Sequence, residues 1–273
     1  MSTTVGFIGA GQLGEPMVLR LLGAGHHVLV YSRRAEVRDR LTASGATSVG
    51  SVAELAAQSD ILLSCLFSDA QLRETGLGPD GFIANAKAGS VFVSHTTGTV
   101  ATLEALRDSS KSAPVILDAP VSGTAENIAA GTLTVLLGGP ADVVERVTPV
   151  LAAYADPVVP TGELGSALAI KLINNLLFAA NAQLIAAATQ LGDKLNVDPD
   201  ALLSVLQVCS GRSGAAAHAE RIGGIDRFVE MAGPFLRKDV AACHEAAAEV
   251  GVDLGLLGKV VQAGPLALDN CGL

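Results

Sequence analysis

An α/β domain built on a parallel sheet, followed by an all-α domain, is the architecture this chain predicts. Three observations carry that expectation. Short β-branched runs alternate with helical patterns through the first half, a glycine-rich turn directly follows the first run, and the texture changes after Tyr154.

The alternation begins at Thr4 to Ile8, a short apolar run that ends in glycine. A helical pattern covers Gly14 to Gly25, and a second strand covers Val28 to Tyr31. Ile61 to Phe67 (ILLSCLF), Ser90 to Ser94 (SVFVS), Val115 to Ala119 (VILDA) and Leu133 to Leu137 (LTVLL) read as further strands, with helical segments between most of them. Pro157, Pro160 and Gly162 then mark a boundary, so the expected domains are residues 1–161 and 162–273. Helical signals dominate beyond it. The first helix spans Glu163 to Leu191, about 44 Å at 1.5 Å per residue. The next has Asp198 as N-cap, Pro199 at its first position and Gly211 beyond its end. A further helix is expected from near Pro234 to just before Gly251.

Composition limits the partners. With 49% hydrophobic and 16% charged residues, the 273-residue chain can bury a sizeable core, drawn from Ala, Leu, Val and Ile because only 3% is aromatic and Trp is absent. A formal net charge of -9 argues against nucleic acid, whose phosphates favour a basic face. It leaves room for an anionic small molecule in a locally positive pocket. Cys65, Cys209, Cys243 and Cys271 are far apart and form no C-x-x-C pair, which reads as reduced thiols in a cytoplasmic protein. The five His residues show no ligand spacing, so no metal is expected. The N-terminus runs straight into a strand, so no secretory leader is expected. The most apolar stretch, Leu164 to Leu191, contains Lys171, Asn174, Asn175, Asn181 and Gln183, which are costly in lipid. It reads as a buried helix and not as a membrane span.

The glycine turn is Gly9-Ala10-Gly11-Gln12-Leu13-Gly14, placed between a strand and a helix. Gly9 permits the tight turn, Gly11 lets the backbone approach a pyrophosphate, and Gly14 lets helix and strand pack closely. The helix N-terminus presents N–H groups to the phosphates. With the second strand also present, this is the fingerprint of a dinucleotide-binding Rossmann domain. At the end of that strand stand Tyr31, Ser32, Arg33 and Arg34, with no carboxylate to take a ribose 2′-hydroxyl. Ser32 can hydrogen-bond a 2′-phosphate and Arg33, beside Arg34, can pair with it. NADP(H) is therefore expected over NAD(H).

Lys171, Asn174, Asn175 and Phe178 are spaced i, i+3, i+4, i+7 and share one helix face. A lysine in so apolar a helix is costly unless it has a task, and a buried lysine whose pKa falls toward neutrality suits acid–base work. The bland alternative is a lysine that caps a neighbouring helix or reaches solvent. Ser122 and Gly123 sit in a loop at the C-terminal end of a strand, the edge where doubly wound sheets bind ligands. A hydroxyl with exposed N–H groups can hold a carboxylate.

Four segments together resemble the β-hydroxyacid dehydrogenase family, which includes 3-hydroxyisobutyrate dehydrogenases and semialdehyde reductases. They are GAGQLGEPM from Gly9, DAPVSGTAENIAAGTLTVLLGG from Asp118, GELGSALAIKLINN from Gly162 and FLRKD from Phe235, and their order fits across nearly the whole chain. The resemblance implies Lys171 as the proton-transfer residue. It implies that Ser122, Gly123 and neighbouring Thr124 bind the substrate carboxylate and that Asn175 hydrogen-bonds the substrate. Thr96 and Thr97 match the family's S-T pair, with Thr97 at the nicotinamide, and Lys238 carries over as a cofactor contact. The implied partner is a small carboxylate substrate, and the implied assembly is at least a homodimer.

Several positions depart from the family. Thr124 stands where a glycine is usual, with Glu126 and Asn127 after it, so Glu126 is either a receptor for a cationic group or a solvated loop charge. Ser94-His95 replaces the usual acidic residue and its neighbour, so His95 either reaches the nicotinamide or is structural. The C-terminus is short for the family, whose last helices cover the active site and the dimer contact. Two rival readings share the nucleotide site. Imine reductases commonly replace the lysine with Asp or Tyr, and non-catalytic relatives typically lose it, so Lys171 weighs against both. A 6-phosphogluconate-type decarboxylase does not fit, because the chain is much shorter and shows no cationic cluster for a sugar phosphate.

Overall fold

A computed structural model describes residues 3–268, which leaves Cys271 outside the described residues. Among the described cysteines, Cys209 is an exposed thiol, Cys243 a buried one, and Cys65 is half-buried. The chain divides into two compact units, one ending at Lys171 and the other beginning at Leu172.

The first unit follows the expected alternation. In order it contains β1 (Thr4–Ile8), α1 (Gly14–Gly23), β2 (His27–Tyr31), α2 (Ala35–Ala43), β3 (Thr47–Ser48), α3 (Val52–Gln58), β4 (Ile61–Ser64) and α4 (Asp69–Gly76). There follow β5 (Val91–Ser94), α5 (Val100–Asp108), β6 (Val115–Asp118), β7 (Val121–Ser122), α6 (Ala125–Ala130), β8 (Leu133–Gly138), α7 (Ala141–Leu151) and β9 (Ala155–Gly162). The sheet order is β3-β2-β1-β4-β5-β6-β8-β7, with β9 paired to β8. Strands β3, β2, β1, β4, β5 and β6 are mutually parallel, so their C-terminal ends share one edge. Side chains alternate between the two faces. Val5, Phe7, Leu63, Val93 and Leu117 pack with Met17, Leu21, Val37, Leu41 and Val147 on one face. Ile8, Leu62, Phe92 and Ile116 pack with Leu55, Leu72, Leu103 and Leu106 on the other.

Two departures from a purely parallel sheet occur at its far end. β8 runs antiparallel to β6 and β7, and β9 lies parallel to β8. β9 occupies the stretch whose prolines suggested a loop between domains. A strand tolerates proline when it pairs on one side only, and β9 pairs with β8 alone. The strand expected to reach Phe67 stops at Ser64, because the chain there leaves the sheet so that Ser68 can cap α4 by accepting from the Gln71 N–H.

Helix α8 (Ser166–Lys194) follows, and its opening turns belong to the first unit. The second unit is all helical: the rest of α8, then α9 (Pro199–Leu206), α10 (Gly214–Arg221), α11 (Ile225–Glu249) and α12 (Gly255–Ala263). Its core gathers Leu172, Leu176, Ile185, Leu203, Phe228, Leu236, Val240 and Val261. Asp198 caps α9 as expected, accepting from the Ala201 N–H at 2.8 Å. α11 begins at Ile225 and runs through Pro234, where a start was expected; the missing donor interrupts one rung without ending the helix. In the middle of α8 the buried Gln183 amide donates to the carbonyls of Val261 (2.7 Å) and Leu266 (2.8 Å), and its oxygen accepts from the Leu266 N–H (2.7 Å).

The expected buried helix is buried on only part of its surface. Ile173, Leu177, Leu184 and Leu191 form an exposed stripe, with Ile173 62% and Leu191 57% exposed. Their spacing of four and seven residues keeps them on one face. By length and composition α8 is the one helix among the described residues apolar enough to cross a membrane, and half of its most apolar window is buried within the protein.

Candidate active site

The glycine turn opens a cleft of about 670 Å³ at the C-terminal edge of the sheet, between β1 and β4, where the strand order reverses. Gly9, Ala10, Gly11, Ser32, Arg33 and Arg34 line one wall. Gly9 has φ +90°, and a Cβ there would collide with the Cys65 carbonyl oxygen. At Gly14 a Cβ would strike the Gly9 carbonyl oxygen, so helix and strand pack only because both are glycine. Gly11 is open, with no atom nearer than 4.0 Å to its would-be Cβ. Two tight glycines and one open one fit a turn that bends sharply and admits a pyrophosphate at the start of α1. Gln12 borders an adjoining hollow with Gly11 and Arg34, while Leu13 packs on the core.

The ribose end of the cleft is cationic. The Ser32 hydroxyl accepts from the Arg34 N–H at 3.3 Å, the Arg34 guanidinium donates to the Ala10 carbonyl at 3.2 Å, and Arg38 donates to the Ser32 carbonyl at 3.2 Å. Arg38 was not singled out from the sequence. Its signal is its place one helical turn after Arg34. The opposite wall, including Cys65, Leu66, Phe67 and Gln71, was also missed, although it begins at the end of β4, beside the switch point.

The ends of β5 and β6 hold the remaining first-unit residues. Ser64, at the end of β4, and Ser94 and Thr96 carry buried hydroxyls with no hydrogen-bond partner among the described residues. Thr96 and half-buried Thr97 lie just past β5, so this edge offers polar groups suited to a carboxamide. His95 is wholly inside. Its Nδ1 lies 2.6 Å from the Ala119 carbonyl and its Nε2 lies 2.8 Å from the Tyr154 hydroxyl. A carbonyl only accepts, so Nδ1 carries the hydrogen and Nε2 accepts from the phenol. Burial pushes the imidazole pKa down to about 4 and the phenol pKa well up. This is the structural alternative for His95.

Ser122 and Gly123 are exposed beyond β6. Thr124 is committed to its own loop: its N–H donates to Asn127 Oδ1 at 2.9 Å and its hydroxyl to Glu126, whose side chain is exposed. Asp118, at the end of β6, is fully buried. Its Oδ1 accepts from the Gly165 N–H and its Oδ2 from the Leu168 N–H, each at 2.8 Å. Burial pushes this carboxyl above its usual pKa range, against the pull of those N–H groups. The start of α8, and with it half-buried Lys171, is thereby tied to the sheet edge.

In the second unit, buried Asn175 donates to Asp239 Oδ2 at 2.8 Å and accepts from Asn174 at 3.1 Å. Lys238 Nζ lies 3.8 Å from Asp239 Oδ1. Cys243 donates to the Leu172 carbonyl, and burial first, then Asp239, pushes its thiol up to about 11. Among the described residues no three His, Cys, Asp or Glu side chains gather into a metal-binding group.

Two family models cover the chain: the NAD-binding domain of 6-phosphogluconate dehydrogenase matches residues 4–165, and the NAD-binding domain of NADP-dependent 3-hydroxyisobutyrate dehydrogenase matches residues 165–270. The chain belongs to the β-hydroxyacid dehydrogenase family. It is thus an oxidoreductase of the class that acts on CH–OH groups. A 2-(hydroxymethyl)glutarate dehydrogenase of Eubacterium barkeri is 31% identical over 96% of this chain and 88% of its own. An L-threonate dehydrogenase of Cupriavidus necator is 34% identical over 78% and 72%. Among solved structures, a Mycobacterium tuberculosis 3-hydroxyisobutyrate dehydrogenase with L-serine superposes with a TM-score of 0.85 at 26% identity, covering 96% of this chain and 92% of that one. A Streptomyces aurantiacus imine reductase shares the fold, with a TM-score of 0.60 at 17% identity over 95% and 92%.

Proposed function

We propose that this β-hydroxyacid dehydrogenase uses NADP(H) to interconvert a small 3-hydroxy acid and its semialdehyde or keto form, with Lys171 as general acid and base. One observation carries the reading. Asp118 fixes the start of α8 at the sheet edge that also bears the glycine turn, a few residues before Ser122 at the end of β7 and Gly123 beyond it. The relatives named for hydroxymethylglutarate and threonate, both hydroxy acids, support the substrate class.

The bound nicotinamide supplies or accepts the hydride. The protein holds and polarises the substrate. The Ser122 hydroxyl and the Gly123 N–H take its carboxylate. In the second unit, Asn175, whose amide donates to Asp239, is the residue that the family resemblance assigns to the substrate. The Lys171 ammonium donates to the carbonyl oxygen during reduction, and the amine accepts the hydroxyl proton during oxidation. Ser32, Arg33, Arg34 and Arg38 take the 2′-phosphate, whose two charges suit guanidinium forks. Thr97 and Lys238 are assigned to the cofactor. The exposed stripe on α8 is assigned to a second copy of the chain, giving at least a homodimer.

Lys171→Ala tests the chemistry. Loss of a positioned acid–base group lowers kcat about 10²- to 10⁴-fold, while the Kd for NADPH, measured by fluorescence, stays within about twofold. Turnover near that of the unsubstituted enzyme removes the reading.

A further inference from the structure

We infer that Asp118 is a positioning residue: its buried carboxylate locks the helix that presents Lys171 against the end of β6, from which the chain runs on to Ser122 and Gly123. The inference rests on the acid–base assignment of Lys171. Both carboxylate oxygens are used, Oδ1 by the Gly165 N–H and Oδ2 by the Leu168 N–H, across 47 and 50 residues of sequence. These N–H groups belong to the residue just before α8 and to its first turn, where a helix leaves its donors without intrahelical partners. A charged acceptor there also meets the positive end of the helix dipole. The cap of this helix is therefore supplied by a different element, which fixes the helix's position as well as its end.

The surroundings hold that carboxylate in one place. Gly138 is the register partner of Asp118 on β8. A Cβ at Gly138 would collide with Asp118 Oδ1 and come within 2.9 Å of Ser166 Oγ, so the missing side chain makes the space the carboxylate fills. Beside it, the Thr161 and Ser166 hydroxyls meet at 2.7 Å and add a second tie to the helix start. On the other face of the sheet, His95 holds the carbonyl of Ala119, the next residue. The segment leading to Ser122 is thus gripped from both faces. Lys171 lies five residues past Ser166, about 7.5 Å of helix rise, so a shift at the cap reaches the ammonium almost undiminished.

The test compares Asp118→Asn, Thr161→Val and Lys171→Ala with the unsubstituted enzyme by steady-state kinetics and NADPH titration. Asparagine keeps the shape but turns an N–H donor toward a backbone N–H. An error of about 1 Å in a reacting group costs up to about 100-fold. Asp118→Asn should therefore lower kcat about 10- to 100-fold, with the stoichiometry and Kd of NADPH unchanged. Thr161→Val should lower kcat a few-fold. If Lys171→Ala loses turnover while Asp118→Asn binds NADPH and keeps full kcat, the positioning role is overturned and the catalytic assignment stands. If Lys171→Ala keeps its turnover, both fall. If Asp118→Asn fails to bind NADPH, Thr161→Val decides: reduced kcat with intact NADPH binding supports the role, and unchanged kcat overturns it.

Discussion

His95 sits with both ring nitrogens occupied inside the core, and that fixes its proton count. Burial disfavours the charged imidazolium, so the folded chain resists protonation until about pH 4; a second ring proton would also have to displace the Tyr154 phenol proton from Nε2. In the unfolded chain the ring takes up its proton near the ordinary value of about 6.5. The stability that neutral His95 contributes is complete above that value and is lost as pH falls toward 4, by about 3 kcal/mol in all. Urea unfolding between pH 7 and 4 should show this slope, and His95→Gln should flatten it; an equal slope in the variant contradicts the account. At the cofactor end, Arg38 supports the Ser32 turn beside Arg33 and Arg34. Arg34→Ala with Arg38→Ala should raise KM for NADPH about 10- to 100-fold, at roughly 1.5–3 kcal/mol for a charge-assisted hydrogen bond, and leave KM for NADH nearly unchanged. Equal losses for both cofactors would argue against the 2′-phosphate assignment. The glycine turn and Ser32-Arg33-Arg34 were legible because their chemistry lies within a few consecutive residues. Asp118 was read only as part of a strand and a motif. Its partners are 47 and 50 residues away, and no local pattern announces them.

Among the elements, α8 carries both the residue proposed for proton transfer and the apolar stripe proposed for assembly. One flank carries Lys171 and Asn175, and another leaves Ile173, Leu177, Leu184 and Leu191 in water. Fully burying a leucine contributes about 1.5–3 kcal/mol; these side chains are about half exposed and gain less each, and their sum is set against the entropy of pairing two copies. Leu184→Glu with Leu191→Glu should turn a dimer into monomers in sedimentation velocity at micromolar concentration. An unchanged sedimentation coefficient would separate the stripe from assembly. Most elements were legible because their apolar spacing is regular over their length. β9 was not, since Pro157 and Pro160 signal a loop unless the strand is known to pair on one side only. α11 was placed too late because Pro234 imitates a helix start, and the burial of Phe228 one turn inside it is a tertiary effect. The exposed flank of α8 was not legible, because apolar composition marks a helix as buried without saying which of its faces the chain itself covers.

For the whole molecule, the relevant fact is that the hydrophobic interior comes in separate parts. The sheet unit has a core on each face and the helical unit has its own. The nucleotide cleft belongs entirely to the sheet unit. NADPH at a hundredfold excess over its Kd should stabilise that unit by about 2.7 kcal/mol. In hydrogen exchange, amides of β1, β4 and β5 should gain protection, and those of α9 and α10 should gain much less. Equal gains throughout would mean that the units open as one. Gln183 bears on how far the tail can be trimmed. Its amide reads the backbone at Val261 and Leu266 as a clasp reads its eye. A version ending before Leu266 keeps every helix of the described residues, yet it leaves the amide oxygen without its Leu266 donor in hydrocarbon, at about 1–3 kcal/mol. The short stretch around Leu266, featureless in sequence, thus works as a fastener of the helical half.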